Sequence, residues 1–284
     1  MDIYKQLETE VLLKNSSPIA DFENLSATNF HYLLYDTYNK NSPVHFQQHI
    51  ENKTLDKVSL FRVAEDFIRI IDREKFIKLT PLGALPKKVM VELYDKKYIH
   101  DQLIESGITK LWKEQDCIAI MSTKIVTEIA GITKRANGKM TLTKKGTTLL
   151  KIENRQKFFE LFISTFADKF NWGFNDNYPE RPIGQIGWTF TIYLLSKFGK
   201  SYHKESFYAE KYLKALPVLL KEFENNGLSS QKEQFTRCYS VRSFERFLEW
   251  FAFIEADRDA KRNWISDLNI KATEILTKVF DIDT

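Results

Sequence analysis

A five-residue phrase occurs twice in the chain, as Leu79-Thr80-Pro81-Leu82-Gly83 and as Leu142-Thr143-Lys144-Lys145-Gly146. Each copy follows a short β-prone run and precedes a stretch of helical apolar spacing, which predicts a strand ending and a helix beginning. The threonine can cap the coming helix through its side-chain oxygen, and the glycine permits a close or positive-φ passage. Pro81 then falls in a first helical turn, where a missing N–H is tolerated.

The second copy closes the most informative stretch. Ile132-Thr133-Lys134-Arg135 and Lys139-Met140-Thr141-Leu142 are β-rich runs joined by Ala136-Asn137-Gly138, and Asn-Gly accepts the positive φ values of a tight hairpin. A helix at Cys117–Ala130, stopped by Gly131, comes before it. Helix, hairpin and strand-to-helix exit are the order of a winged helix. The wing carries Lys134, Arg135, Lys139, Lys144 and Lys145 and no acid between 133 and 146. Such a surface can lie along a phosphate backbone and release its counterions; lysines that keep a hairpin soluble have the same composition. The helix over Ile118–Ile129 stands where a recognition helix would, yet Ser122, Thr123, Lys124, Thr127 and Glu128 include no arginine, asparagine or glutamine to read a base edge. The helix before the first phrase sets Glu65, Asp66 and Asp72 against Arg62, Arg69 and Arg73, close to neutral.

Earlier in the chain, Ile3, Tyr4, Leu7, Val11 and Leu12 predict a helix over 2–13 that packs on the next segment, and Ser26 or Thr28 can cap a second helix. A short helix is expected over Val44–Ile50 and a longer one from Val58 to Ile71, then a strand at Phe76–Leu79. From Asn154 onward the chain is aromatic. Phe158, Phe159, Phe162, Phe166 and Phe170 form one helical face, and Trp172-Gly173-Phe174-Asn175-Asp176-Asn177-Tyr178-Pro179 is a turn-rich loop. Helices come next near Ile183–Phe198, at Lys204–Glu224 with a break at Pro217, and over Tyr239–Phe253, where Arg242 and Arg246 share a face. Phe253-Ile254-Glu255, Leu268–Thr273 and Ile275-Leu276 fit two strands and a short helix, a third and degenerate copy of the same order.

The fold expected is therefore mainly α with small β-hairpins (α+β), as tandem winged-helix-like units plus a helical C-terminal region. The expected division is 1–86, 87–153 with the basic wing, and 154–284.

Of 284 residues, 43% are hydrophobic and 14% aromatic, enough for a substantial core. The charge of +4 is mild, with 22 basic and 19 acidic residues in 1–150 against 20 and 19 in 151–284. Cys117 and Cys238 lie far apart, which excludes a cysteine zinc finger and gives no disulfide framework. The acidic, amphipathic first ten residues differ from a secretory signal, so a soluble cytoplasmic protein without membrane partners is expected. Phosphate loops, dinucleotide fingerprints, nucleophile elbows and His-Glu-x-x-His are absent from the sequence, which points away from an enzyme and toward no cofactor. His45 and His49 have the spacing of two metal ligands on a helix but lack a third, so no metal is assigned.

Lys78–Pro86, Leu142–Gly146, Phe170-Asn171-Trp172 and Arg242-Ser243-Phe244-Glu245-Arg246-Phe247-Leu248 resemble phrases of a poorly characterised bacterial family, some members of which carry a separate SEC-C metal-binding segment. The resemblance runs from about residue 55 onward. It implies winged-helix-like architecture and supplies no activity, and the cysteine cluster of the SEC-C segment is absent here. Two functions are expected on these residues. The first is double-stranded DNA binding, with transcriptional regulation as a role open to it, through Lys134, Arg135, Lys139, Lys144 and Lys145 with help from Arg242 and Arg246. The alternative is a non-catalytic protein-interaction module that covers its partner with Trp172, Phe174 and Tyr178.

Overall fold

The computed structural model describes residues 3–225, 227–257 and 268–283. The chain begins with α1 (Ile3–Ser16), α2 (Ala27–Tyr35) and β1 (Val44–Phe46). Next come α3 (Asn52–Leu55), α4 (Ser59–Glu74), β2 (Ile77–Lys78), α5 (Lys87–Tyr94), α6 (Gln102–Glu105), α7 (Ile118–Ile129), β3 (Thr133–Ala136), β4 (Lys139–Leu142), α8 (Lys144–Leu149) and α9 (Arg155–Asp168). The last part holds α10 (Trp188–Phe198), β5 (His203–Lys204), α11 (Glu205–Ala215), α12 (Gln231–Tyr239), β6 (Ile254–Asp257), β7 (Asn269–Ala272), α13 (Glu274–Val279) and β8 (Phe280–Ile282). It is an α+β chain of helices with small antiparallel sheets.

Two compact units divide it. A mid-chain unit comprises Gln48–Phe170 with Trp250–Ala252; a terminal unit comprises Met1–Gln47, Asn171–Glu249 and Phe253–Thr284. The boundary expected at 86/87 runs through one sheet, because β2 before it pairs with β4 after it. The first 47 residues belong with the last third, since β1 pairs with β8, Val44 opposite Ile282.

In the mid-chain unit, α4 buries Leu60, Phe61, Val63, Ala64, Phe67, Ile68, Ile70 and Ile71, an apolar stripe wide enough to face the core along its whole length. Phe61 meets Phe158 and Phe159 of α9 at centroid distances of 5.0 and 5.3 Å, in the edge-on geometry that aromatic quadrupoles favour. A buried ion cluster sits beside it: Arg155 donates to both carboxylate oxygens of Glu65, each at 2.8 Å, and to Asp56. Arg62, Arg69 and Arg73 pair with Glu65, Asp66 and Glu92, so the near-neutral face of α4 is neutralised in place.

Each unit holds a three-stranded sheet whose strand order puts the last strand in the middle: β2-β4-β3 and β5-β7-β6. The two sheets match bond for bond. Leu79 N–H donates to Gly138 O at 2.9 Å and Glu205 N–H to Leu268 O at 2.8 Å; Thr143 N–H donates to Ile132 O and Thr273 N–H to Phe253 O. Ile132 and Phe253 leave their helices by the same five-residue bond, to Thr127 O and Leu248 O. Thr143 and Thr273 then cap α8 and α13 through their hydroxyls.

Several expectations change. Thr80 caps no helix. Its carbonyl and hydroxyl accept from Gly83 N–H and Ala84 N–H, Pro81 lies in that turn, and α5 starts only after Pro86. Val44–Phe46 is strand, so His45 and His49 do not share a helical face. The helix expected at Tyr239 begins at Gln231, where Ser230 and Glu233 form a capping box, and it continues as a π-helical stretch over Ser240–Leu248. Every residue of α1 is exposed, including Ile3, Tyr4, Leu7, Val11 and Leu12. The break expected at Pro217 is present, with α11 ending at Ala215.

Candidate nucleic-acid interface

The basic hairpin forms as its turn residues dictate, with Asn137 at φ 51° and Gly138 at φ 67°. Thr133 is opposite Leu142 and Arg135 opposite Met140, while β2 adds Ile77 opposite Met140 and Lys78 opposite Lys139. Side chains alternate between faces along a strand, and direct partners share one. Ile77, Met140 and Thr133 therefore lie on the inner face and are buried, with Arg135 at its exposed end. Lys78, Lys139 and Lys134 occupy the outer face, all exposed. The Lys139 ammonium lies 4.0 Å from the centroid of the half-exposed Phe76 ring, which stands on the same face just ahead of β2.

Pairing β2 with β4 also joins two stretches without a carboxylate. Residues 75–91 hold Lys75, Lys78, Lys87 and Lys88; residues 129–152 hold Lys134, Arg135, Lys139, Lys144, Lys145 and Lys151. Not all of this charge is equally available. Arg135 Nε donates to Glu128 at 2.7 Å, and Lys145 Nζ donates to Ala130 O at the end of α7. Gly146 has no room for a side chain, since a Cβ there would lie 2.2 Å from Ile132 O; this close approach seats α8 and Lys144 against the hairpin. Lys78 and Phe76 are members that the wing composition alone does not reveal. Their signal is the acid-free run and the register it enters.

The helix expected to serve as a recognition helix, α7, presents no reading face. Ser122, Thr123, Lys124 and Thr127 of α7 are buried, and Lys124 Nζ pairs with the buried Glu114 at 2.6 Å. The polar side chain that α7 leaves nearer the surface is Glu128, an acid already paired with Arg135.

The residues singled out in the terminal unit are mostly internal. Arg242 is 1% exposed. Its Nε donates to Asp176, Nη1 to Arg181 O and Nη2 to Pro179 O, so it holds a loop and cannot reach a phosphate. Arg246 binds the same loop through Phe174 O and Asn175 O at 2.7 and 2.8 Å. Trp172 is 4% exposed and tilts against Phe247 at 4.8 Å; Phe174 and Tyr178 are half-buried. No exposed aromatic patch exists at these three positions because the tryptophan is part of the core.

The matching outer face of the terminal unit's sheet is mixed in charge. Lys204 and Lys271 stand with Glu255 and Asp257, and Tyr202 takes the place of Phe76, its hydroxyl donating to Glu255. The frame thus builds a sheet with or without a purely positive face.

Both cysteines are buried, and burial pushes the Cys117 thiol up to about 11 and the Cys238 thiol up to about 12. Among the described residues no three metal-ligating side chains cluster, and no helix is long and apolar enough to cross a membrane. Comparison with protein-family models, with curated proteins and with solved structures finds no match to the chain.

Proposed function

We propose that the chain binds double-stranded DNA through phosphate contacts made by the outer face of the β2-β4-β3 sheet, with Lys78, Lys134 and Lys139 at its centre and Lys144 beside it. The observation that carries this reading is the register that sets Lys78 directly opposite Lys139. Like charges so placed cost stability. The matched sheet of the terminal unit, with two carboxylates on that face, argues that the fold does not require the cost. A polyanion laid across the face would offset it. Both sheets, with their flanking helices, are winged-helix-like units in this proposal, and kinship with the SEC-C-associated family belongs to it too. Transcriptional regulation would then rest on partners or on DNA shape, since α7 offers no side chains for base-edge readout.

The test is a fluorescence-anisotropy titration of a duplex of about 20 base pairs at two salt concentrations. Each lost phosphate contact removes roughly 0.9 from the slope of log affinity against log salt. The variant K78A/K134A/K139A is expected to flatten that slope by up to about three units, while K204A/K271A leaves it unchanged. Absence of binding by the folded wild type at low salt would overturn the reading.

A further inference from the structure

Beside the tip of the basic hairpin stands a leucine that is not part of the core. Leu82 is 96% exposed at the tip of the Thr80–Ala84 turn. Burial of a leucine side chain is favourable, and full exposure forgoes that gain. The turn that presents it is tightly held. Thr80 N–H donates to Ala84 O, Gly83 N–H to Thr80 O and Ala84 N–H to Thr80 Oγ1, all between 2.8 and 3.0 Å. Gly83 takes φ +77°, a conformation that suits glycine. From below, the buried Lys124 donates to Gly83 O, and its ion-pair partner Glu114 accepts from Leu85 N–H. A buried ion pair is a costly anchor for a surface loop.

The turn's position is also fixed. Leu79 N–H bonds to Gly138 O, so the chain enters the turn beside the tip of the basic hairpin. A Cβ on Gly83 would lie 3.6 Å from Arg135 Nη1. Leu82 is thus an apolar point on a rigid base, set at the tip of the basic hairpin with the Arg135 guanidinium beside its turn.

The geometry points to Leu82 as a wedge that enters the minor groove and unstacks a base step of the duplex held by the lysines, bending it. This rests on the proposed DNA binding and specifies its mode. Unstacking by an apolar wedge is unfavourable in itself, and the added backbone contacts that a bent duplex makes offset it. Pyrimidine–purine steps unstack most easily, so the surface would prefer a TA step with no hydrogen bond to a base. That fits a unit whose α7 keeps its polar residues inside.

The experiment uses the full chain and two duplexes that differ only in a central TA or GC step, with 2-aminopurine next to the step and a fluorophore pair at the ends. Wild type is expected to raise 2-aminopurine emission and end-to-end energy transfer on the TA duplex, and to bind it about three- to tenfold more tightly than the GC duplex. Leu82→Ala should abolish the emission rise, the transfer change and the preference, while keeping the salt slope and the melting temperature of wild type. Wild-type binding that leaves the duplex straight and stacked, or an L82A variant equal to wild type in these signals, overturns the wedge alone. No binding to either duplex overturns the DNA reading with it. Vesicles with phosphatidylserine serve as a counter-probe: capture that depends on Leu82, with no distortion of DNA, would overturn the wedge and reassign the tip to an anionic bilayer.

Discussion

The Arg242 guanidinium uses its donors inside the terminal unit, on Asp176 and on the carbonyls of Pro179 and Arg181. Removing it would leave the Asp176 carboxylate charged and unpaired where both side chains of the pair are fully covered. Breaking such a pair from one side costs about 3–5 kcal/mol. Arg242→Ala is therefore expected to lower the urea midpoint sharply, with the denaturant slope unchanged. A shift equal to that of an exposed control such as Lys144→Ala would show that the pair is not buried in solution. Arg242 and Arg246 read as a polar helical face because they lie four apart, and a helical spacing carries no information about a loop 66 residues earlier that covers it. Asp176, by contrast, is legible only as a turn former until Arg242 is brought to it.

At the level of elements, Lys78 and Lys139 set stability against binding. Lys78→Glu replaces a like-charged cross-strand pair with an opposite one, which is worth roughly 0.2–1 kcal/mol. The variant is expected to unfold at higher denaturant than wild type and to bind duplex DNA more weakly. If K78E lost stability, the outer-face register would be refuted. The hairpin is legible in the sequence, because Asn137-Gly138 admits few alternatives and β-prone runs flank it on both sides. The strand β2 is legible as a strand but not in its partner: two residues carry no local signal for which of several later strands they join. The Ser230-x-x-Glu233 box marks the start of α12, although the denser apolar run after Tyr239 is the stronger periodic signal. Thr80 reads like Thr143 by composition. Pro81 and Gly83 close a turn on the first, whereas a second proline, Pro86, is what starts the helix.

For the whole molecule, alkaline pH should be destabilising in a defined window. Both thiols have folded values raised by burial above their ordinary 9.0, Cys117 to about 11 and Cys238 to about 12. Below pH 9 they are protonated folded and unfolded alike, and their contribution is fully present. Above it the unfolded chain releases protons that the folded chain keeps, so stability falls as pH rises, and the contribution is lost on passing about 11 to 12. Tyr208, Tyr212 and Tyr239, also raised by burial, extend the decline upward. Denaturation midpoints measured from about pH 8 to about pH 10.5 should drop, and C117S/C238S should drop less. A flat profile in wild type would contradict the burial of both thiols.

The matched sheets separate register from charge. Equivalent residues are 126 apart between β2 and β5 (77 and 203), 121 between β3 and β6 (133 and 254) and 130 between β4 and β7 (139 and 269). The offsets change only across the connections, so the segments between strands differ in length while the two ladders keep one registry. The ladder sets where a side chain stands and leaves its charge free: one outer face is wholly basic at Lys78, Lys134 and Lys139, and the other mixes Lys204 and Lys271 with Glu255 and Asp257.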